Sequence, residues 1–438
     1  MRLDKRSVLL PLTILLAASA ALIADGNSDR NNQFDFALVG DVPYAPTKLL
    51  NPPLPSPKVQ IYPSPEYNAL IADINAHNKV LFSVHMGDIK AGDTWCVGGN
   101  PTKDSLVVGE NIYTQNLMLF NTYRNAAIYL VGDNEWTDCH RTNNGAYNPT
   151  ERLAYIRGAA GFYGTDQSLG QQTISLTRQS SDAGFELYKE NVMWRAGSII
   201  FVGLNQPGSN NNHFRITSAS IPPPTDDNEA EYKDRNAANI AWIRKAFRTA
   251  NGDSSTRAVV IMQQANVFER FLEANAAGVP QYARSGYEAF VAELRNQTIT
   301  FGKPVVLVGG DTHTVRIDKP LTAVSTVVNG VTTYTRDSQG NILGYPAHSA
   351  GAGNAVVTPT TQFDTITGAA GCTPLSATCV VATRVQNFTR VEVFGSPDVA
   401  WIRAIVDPFD PNVFSFAMQT IAGTGHGRDG RSDDDDQQ

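Results

Sequence analysis

Residues 34–41 read FDFALVGD, an apolar run closed by a glycine and an aspartate. A short apolar run bounded by turn residues is typical of a buried strand. The same ending returns in residues 80–88 (VLFSVHMGD), 127–133 (AIYLVGD) and 304–311 (PVVLVGGD). The sequence therefore predicts four buried strands that are each followed by an aspartate: Asp41, Asp88, Asp133 and Asp311.

Helical patterns alternate with these strands. Apolar residues at helical spacing predict helices over residues 67–78, 111–123, 236–249 and 286–295, and further strands are predicted over 185–189, 198–204 and 257–262. Beyond residue 313 the pattern is β-rich, with strands over 315–317, 327–334, 390–394, 401–406 and 413–418, whereas the proline-rich residues 51–65 predict a loop. The alternation indicates an α/β fold. We expect one domain over residues 30–420, because no internal repeat or flexible linker divides it.

The two ends of the chain differ from the rest. Arg2, Lys5 and Arg6 precede an apolar run and then small residues, an order that predicts a signal peptide over residues 1–24 with cleavage near residues 20–24. The alternative is a membrane anchor, for which the run is short. No other stretch is long and apolar enough to span a membrane, so a secreted or periplasmic location is expected. The acidic residues 423–438 predict a disordered, solvated tail.

The four cysteines are consistent with export. Two disulfides would persist in an oxidising compartment, and three pairings are open to four cysteines. We favour Cys96–Cys139 and Cys372–Cys379, the second because its loop is short. Zinc binding is the alternative, but the paired C-x-x-C spacing of zinc sites is absent.

The overall charge argues against one class of partner. The chain has 35 Lys and Arg against 42 Asp and Glu, a net charge of -7. A nucleic-acid-binding protein usually carries a basic face. The composition therefore gives no nucleic-acid-binding signature, and it leaves the oligomeric state open.

The four strand-end aspartates are the strongest functional signal. One such ending is common, since Asp is a turn and helix-capping residue, but four on successive units of an α/β fold are not. In open α/β sheets the ligand crevice lies beyond the carboxyl ends of the strands, where these side chains would meet. Crowded carboxylates repel one another and need neutralisation. Divalent cations such as Mg²⁺, Mn²⁺ or Ca²⁺ are the simplest answer, and clamps by Arg141 or Arg316 are the alternative.

The order of these motifs resembles the calcineurin-like metallophosphoesterases, relatives of the purple acid phosphatases, and in particular a divergent secreted bacterial branch. The resemblance runs over residues 34–320. The family motifs D-x-H, G-D-x-x-D, G-N-H-D/E, a lone His and G-H-x-H stand here as DVP (41–43), GDIK (87–90), GDNE (132–135), QQA (263–265) and GDTH (310–313). The longer strings GDNEWTDCHR (132–141) and DTHTVRIDKP (311–320) resemble that branch as well. The resemblance implies a four-layer α/β/β/α sandwich of two mixed sheets flanked by helices.

The resemblance also implies a set of metal ligands. One ion would be held by Asp41, Asp88 and His313, with Tyr44 as a further oxygen donor. A second ion would share Asp88 and add three oxygen donors, Asp133, Gln264 (or Gln263) and Asp311. Several family histidines are replaced: Pro43, Asn134, Gln264 and Asp311 stand where the family has His, and Asp133 stands where it has Asn. Because the second set is all oxygen, Mg²⁺, Mn²⁺ or Ca²⁺ is expected before zinc or iron.

The implied activity is a metal-dependent phosphoester hydrolase acting on a small phosphorylated substrate. A hydroxide whose pKa is lowered by the cations would attack phosphorus. Asn134 replaces the histidine that assists the leaving group, so His85 and His140 are the candidate acids, with a core role as the alternative for each. Tyr44, Asn205 and Arg316 are candidate substrate contacts.

Three alternatives accompany this prediction. A salt bridge with Asp318, or a packing role, is the alternative for Arg316. A catalytically degenerate protein that binds ligands or serves a structural role is the alternative function. A metalloenzyme that cleaves another bond is a third.

Overall fold

The structure, a computed structural model, describes residues 33–44, 46–49, 57–104, 111–213, 226–269, 271–274, 280–283, 285–328, 331–344, 366–367 and 381–421. The expected signal peptide, the acidic tail and the expected bond between Cys372 and Cys379 lie outside these residues. Within the part of the chain described here, no helix is long and apolar enough to cross a membrane.

Strands account for most of the regular structure. In chain order they are β1 (Phe34–Val39), β2 (Thr47–Leu49), β3 (Lys58–Gln60), β4 (Val80–His85), β5 (Ala126–Tyr129), β6 (Leu169–Gly170), β7 (Thr177–Arg178), β8 (Val192–Ala196), β9 (Ile199–Gly203), β10 (Ala258–Met262), β11 (Phe271–Ala274), β12 (Pro280–Ala283), β13 (Val305–Gly309), β14 (Arg316–Asp318), β15 (Thr322–Val328), β16 (Val331–Tyr334), β17 (Ile366–Thr367), β18 (Val381–Arg384), β19 (Phe388–Glu392), β20 (Ala400–Val406) and β21 (Phe414–Thr420).

The helices connect these strands. They are α1 (Pro65–Ala76), α2 (Ile112–Phe120), α3 (Pro149–Arg157), α4 (Gly208–Asn211), α5 (Asn228–Asn251) and α6 (Glu288–Phe301), with short 3₁₀ turns at Thr137–His140, Thr142–Asn144 and Gln179–Ser181. Local sequence explains several of their starts. Ser64, Asn111 and Asn148 each accept a backbone N–H at the first turn of α1, α2 and α3, and proline begins α1 and α3.

Two large mixed sheets form the framework. The first has the order β21-β20-β1-β4-β5-β6, and the second has the order β14-β19-β13-β10-β9-β8-β7. Strands β1, β4 and β5 are parallel in the first sheet, and β9, β10, β13 and β19 are parallel in the second. Their carboxyl ends lie at one end of the molecule, where Gln264, after β10, contacts Asp88, after β4.

The apolar core is layered between and outside these sheets. One cluster fills the space between the sheets, where the ring centroids of Phe36 and Phe201 lie 5.2 Å apart. A second cluster packs α1 to α3 on the outer face of the first sheet, and a third packs α5 and α6 on the outer face of the second. The expected four-layer α/β/β/α sandwich is therefore confirmed.

Most expected elements are present, and three are corrected. The loop expected over residues 51–65 contains the short strand β3, which pairs with β2 in a separate two-stranded sheet, outside the large sheets whose centres exclude proline. Residues 185–189 form turns instead of a strand, with Leu187 60% exposed, and the strand of this region is β8. Residues 327–334 were expected as one strand but form the hairpin of β15 and β16, which turns after Val328. The expected disulfide between Cys96 and Cys139 is present, with Cα atoms 5.8 Å apart.

Candidate metal centre

The strand-end aspartates meet at the shared edge of the two sheets. Asp88 and Asp133 follow β4 and β5 of the first sheet, and Asp311 follows β13 of the second. One carboxylate oxygen from each lies within 4.8 Å of the others. Asp41, after β1, joins this group by accepting the backbone N–H of Asp311 on Oδ1 at 2.9 Å. The four aspartates predicted from the strand endings are thus brought together.

The backbone turns sharply at these positions. Asp41, Asp88 and Asp311 have φ values of 54°, 57° and 75°, and His313 has 54°. Such left-handed conformations cost on the order of 1–3 kcal/mol each in non-glycine residues and cluster at functional sites. Gly132 makes the approach feasible, because a Cβ there would collide with the carboxylate of Asp88.

Asp88 lies at the centre of a small network of hydrogen bonds. The backbone N–H of Asn134 donates to its Oδ1 at 3.2 Å, and the Asn134 side-chain amide donates to its Oδ2 at 3.2 Å. Tyr44 Oη donates to the same Oδ2 at 3.2 Å and accepts from the Asn134 amide at 2.8 Å. Asn134, a catalytic candidate from the sequence, therefore orients Asp88 and Tyr44.

Burial and the negative charges of the clustered carboxylates shift the pKa of Asp88. Asp88 is 2% exposed, and its pKa is raised well above its usual value by burial first, and then by Asp133, Asp41, Glu135 and Asp311. Removing water makes each like-charge contact stronger. The arrangement therefore favours uptake of protons or of a cation.

Glu135 is a buried carboxylate that contacts the backbone of two loops at the centre. Its Oε1 accepts the backbone N–H groups of Gly132 at 2.7 Å and Asp88 at 3.2 Å, and the hydroxyl of Tyr129 at 2.8 Å. Burial raises the pKa of Glu135, against the lowering effect of the Gly132 N–H, Tyr129 and Lys90. It ties the loop after β5 to the loop after β4.

Gln264 is the amide that faces the aspartates, whereas its neighbour Gln263 donates to the carbonyl of Ala265. Gln264 Nε2 lies 3.1 Å from Asp88 Oδ2, 3.0 Å from Asp133 Oδ1 and 3.1 Å from Asp311 Oδ1. Its Oε1 accepts the backbone N–H of Gly208. The expected metal-binding oxygen thus points to Gly208, and the amide nitrogen points to the aspartates.

A left-handed turn over residues 209–212 closes the centre. Ser209, Asn210, Asn211 and Asn212 all have positive φ values between 48° and 64°. The Ser209 hydroxyl oxygen lies 2.8 Å from Asp133 Oδ2 and 2.8 Å from Asp138 Oδ1. The signal in the sequence is the run of asparagines, since Asn tolerates this conformation better than most residues.

Arg141 and Asp138 extend this contact away from the centre. Arg141 Nη2 lies 3.0 Å from Asp138 Oδ2 and donates to the Ser209 hydroxyl at 3.3 Å. The pKa of Asp138 is lowered although burial opposes this, because Arg141, His140 and the Ser209 hydroxyl stabilise its charged form. Arg141 thus neutralises Asp138, while Ser209 connects Asp138 to Asp133.

His313 has the environment of a ligating histidine. Its Nδ1 lies 2.7 Å from the carbonyl oxygen of Ser396, which fixes the proton on Nδ1. Its Nε2 is buried without a hydrogen-bond partner among the described residues and lies 3.6 Å from Asp41 Oδ1. A metal-binding histidine usually donates its other ring N–H to a carbonyl or carboxylate in this way.

A divalent cation fits the residues that are present. The lone pair of His313 Nε2 faces a carboxylate oxygen, and three further carboxylates converge on one position. Carboxylate, amide and phenol oxygens are donors that Mg²⁺, Mn²⁺ and Ca²⁺ accept. The observed atoms therefore suit one or two hard cations.

His85, a predicted acid, makes hydrogen bonds to the backbone with both ring nitrogens. Its Nε2 lies 2.8 Å from the carbonyl oxygen of Val42, and its Nδ1 accepts the N–H of Gly87 at 3.2 Å. Burial lowers its pKa to about 4, against the raising effect of the Val42 bond. Both nitrogens contact backbone groups at the ends of β1 and β4, so we expect a structural role for His85 and no proton transfer to a leaving group.

Two candidate substrate contacts have other partners. Asn205 is buried, and its amide donates to Glu190 Oε1 at 3.1 Å. Arg316 Nη1 lies 3.2 Å from Oε2 of Glu392, the residue opposite it where β14 pairs with β19. Asp318, the partner considered for Arg316 from the sequence, forms a salt bridge with Arg390 instead. Both contacts give these residues structural roles.

His140 and Tyr44, the remaining candidates, are placed differently. His140 is buried, with Nδ1 2.7 Å from the carbonyl oxygen of Thr137. Tyr44 is half-buried at the edge of the centre, beside His313. Tyr44 therefore lies where a bound ligand would contact it.

No protein-family model matches the chain, and no curated protein matches it either. Among solved structures, the chain is similar to a dimetal phosphatase from Danio rerio, with a TM-score of 0.37 and 10% identity over 89% of this chain and 99% of that one. It is also similar to a 5'-nucleotidase precursor from Thermus thermophilus, with a TM-score of 0.35 and 10% identity over 89% of this chain and 54% of that one. A third similar structure is the NAD nucleotidase of Haemophilus influenzae, with a TM-score of 0.35 and 11% identity over 88% of this chain and 49% of that one. The chain spans about half the length of the two nucleotidases. The chemistry of the centre rests on its own residues.

Proposed function

We propose that the protein is an exported, metal-dependent hydrolase of phosphoesters. The observation that supports this most is the meeting of Asp88, Asp133 and Asp311 within 4.8 Å, at the carboxyl ends of strands from both sheets. Three of the four aspartates have left-handed backbone conformations and three are buried, an arrangement that would destabilise the protein without a compensating function. A cation-dependent reaction supplies that function.

The residues divide between two cation positions. Asp41, Asp88 and His313 would hold one cation, with Tyr44 as an additional oxygen donor. Asp88, Asp133, Asp311 and the Gln264 oxygen would hold a second. When bound, divalent cations lower the pKa of a water molecule and neutralise charge on a phosphoryl group.

The chain's own residues orient this machinery. Asn134 and Tyr44 fix the carboxylate of Asp88, and Ser209 fixes that of Asp133. A small phosphorylated substrate would approach beside Tyr44, Asp311 and His313, which are only half-buried. Since Asn134 carries no acidic proton, an aryl phosphate or a phosphoanhydride, whose leaving groups need no acid, is the favoured substrate. His140 stays a predicted acid for poorer leaving groups.

Export is part of the proposal. The N-terminal order of basic, apolar and small residues is that of a signal peptide. The disulfide between Cys96 and Cys139 is of a kind that persists in oxidising compartments. A mature single domain over residues 30–420, outside the cytoplasm, would retain this bond.

A hydrolysis assay tests the proposed activity. Purified protein with Mn²⁺ or Mg²⁺ is expected to hydrolyse a generic aryl phosphate monoester or diester, and Asp88→Ala is expected to abolish the turnover. Asp253→Ala is the matched control, because Asp253 pairs with Arg195 at the opposite end of β10. Metal binding without turnover on any such ester would favour the degenerate binding protein, and the absence of both would refute the proposal.

A further inference from the structure

The carboxamide of Gln264 lies where two buried carboxylates and one half-buried carboxylate converge. Its Nε2 is within 3.1 Å of one oxygen each of Asp88, Asp133 and Asp311, and the side chain is fully buried. A group placed at equal distances from three carboxylates has the position of a bound cation. Here an uncharged amide has that position.

The orientation of the amide is set by Gly208. The backbone N–H of Gly208 donates to Gln264 Oε1, which directs the opposite end of the carboxamide, the NH₂ group, towards the carboxylates. Only glycine allows this approach, because a Cβ at position 208 would collide with Asp311 Oδ1 and lie 2.7 Å from Asp133 Oδ2. The turn that begins at Gly208 is therefore fitted to this arrangement.

The amide neutralises the cluster only in part. A carboxamide has two N–H donors, so three carboxylates share two hydrogen atoms. It also carries no net charge, whereas up to three negative charges face it. A divalent cation would neutralise the cluster better, and Gln264 would then present Oε1 to the cation after the carboxamide turns over.

We propose that Gln264 is a built-in stand-in for the second cation, which stabilises the carboxylate cluster when the cation is absent and must turn over before the cation binds. This inference rests on the proposed metal-dependent function and adds a mode of regulation to it. Because Gln264 stabilises the cluster without a cation, it lowers the affinity of this position for the cation. Occupancy of the position therefore depends on the concentration of divalent cations around the protein.

A melting experiment in chelator tests the stand-in role without any metal. Gln264→Leu is expected to melt several degrees below the wild type, because the three carboxylates lose their shared donor. Gln263→Leu is the matched control: it is the adjacent buried glutamine, and its amide donates to the carbonyl of Ala265 outside the cluster. We expect the Gln263 variant to lose less. Equal or higher stability of the Gln264 variant relative to this control would overturn the inference.

A titration with Mn²⁺ by calorimetry tests the turning-over step. Gln264→Glu keeps the acceptor for Gly208 and replaces the NH₂ group by an oxygen, so it penalises the empty state and favours the filled one. We expect its affinity for the second Mn²⁺ to exceed that of the wild type by at least about tenfold. Unchanged affinity would overturn the inference. If neither protein binds Mn²⁺, the proposed function fails, and the melting experiment still decides the role of Gln264.

Discussion

The role of His85 gives a quantitative prediction about stability and pH. In the folded protein His85 is neutral, with one ring nitrogen accepting from Gly87 and the other bonded to the carbonyl of Val42. Its pKa is lowered from 6.5 to about 4, chiefly by burial. The unfolded chain binds a proton on this histidine at a higher pH than the folded chain does. Folding is therefore opposed progressively as the pH falls from about 6.5 to about 4.

The size of this effect follows from the shift. A difference of about 2.5 pKa units, at 1.36 kcal/mol per unit, corresponds to about 3 kcal/mol of unfolding free energy. The contribution is complete above about pH 6.5 and is lost by about pH 4. His85→Phe keeps an aromatic ring beside Phe120 and Tyr129 but does not titrate. The variant is expected to be less stable at pH 7, because it leaves two backbone groups unpaired.

Chemical denaturation in chelator, repeated from pH 7 to pH 4, measures the difference directly. We expect the wild type to lose about 3 kcal/mol more than His85→Phe over this range. The folded variant is also expected to retain hydrolytic activity, because His85 donates no proton to substrate. Parallel pH profiles of unfolding would refute the account of the buried neutral ring, and loss of turnover in the folded variant would restore His85 as an acid.

Three further predictions follow from the contacts of the centre. Gly208→Ala should abolish Mn²⁺ binding in a calorimetric titration, because the added Cβ collides with the carboxylate of Asp311. Gly164→Ala is the control and should bind Mn²⁺ normally, because the nearest described atom to its added Cβ lies 4.0 Å away. Asn134→Ala should weaken Mn²⁺ binding about 10–100-fold by releasing Asp88, and unchanged affinity would remove Asn134 from the network. Replacing Cys96 and Cys139 together by serine should lower the unfolding free energy by about 4 kcal/mol for a loop of 43 residues, as measured by denaturation, and no loss would contradict the bond.

The fold was predictable where the sequence alternates strongly between apolar runs and turn residues. The runs closed by Gly-Asp became β1, β4, β5 and β13, because such runs are buried on both faces. The prediction of a strand at 185–189 was wrong, because Leu187, an apolar residue of this run, lies in a turn and is exposed to solvent. Helix α5 starts at Asn228, eight residues before the predicted start, because its first two turns are polar and carry no apolar period.

The site was predictable only at the strand ends. Asp41, Asp88, Asp133 and Asp311 share one edge because parallel strands end together. Ser209 was missed as a contact, since its position depends on a left-handed turn that local propensity disfavours. The partner of Arg316 was missed for a different reason: Glu392 lies opposite it on β19, 76 residues away in sequence, and strand register is a property of the folded sheet.

Binding of Mn²⁺ to the undenatured protein, compared with its Asp88→Asn variant, shows whether the strand-end aspartates hold cations. Asp88 lies in both proposed cation positions, so the substitution should remove Mn²⁺ binding. It should also raise the melting temperature in chelator, because it removes a buried carboxyl group whose pKa is raised by burial and by the neighbouring carboxylates. Wild-type protein that binds no Mn²⁺, or a variant that binds as many ions as the wild type, would contradict the account.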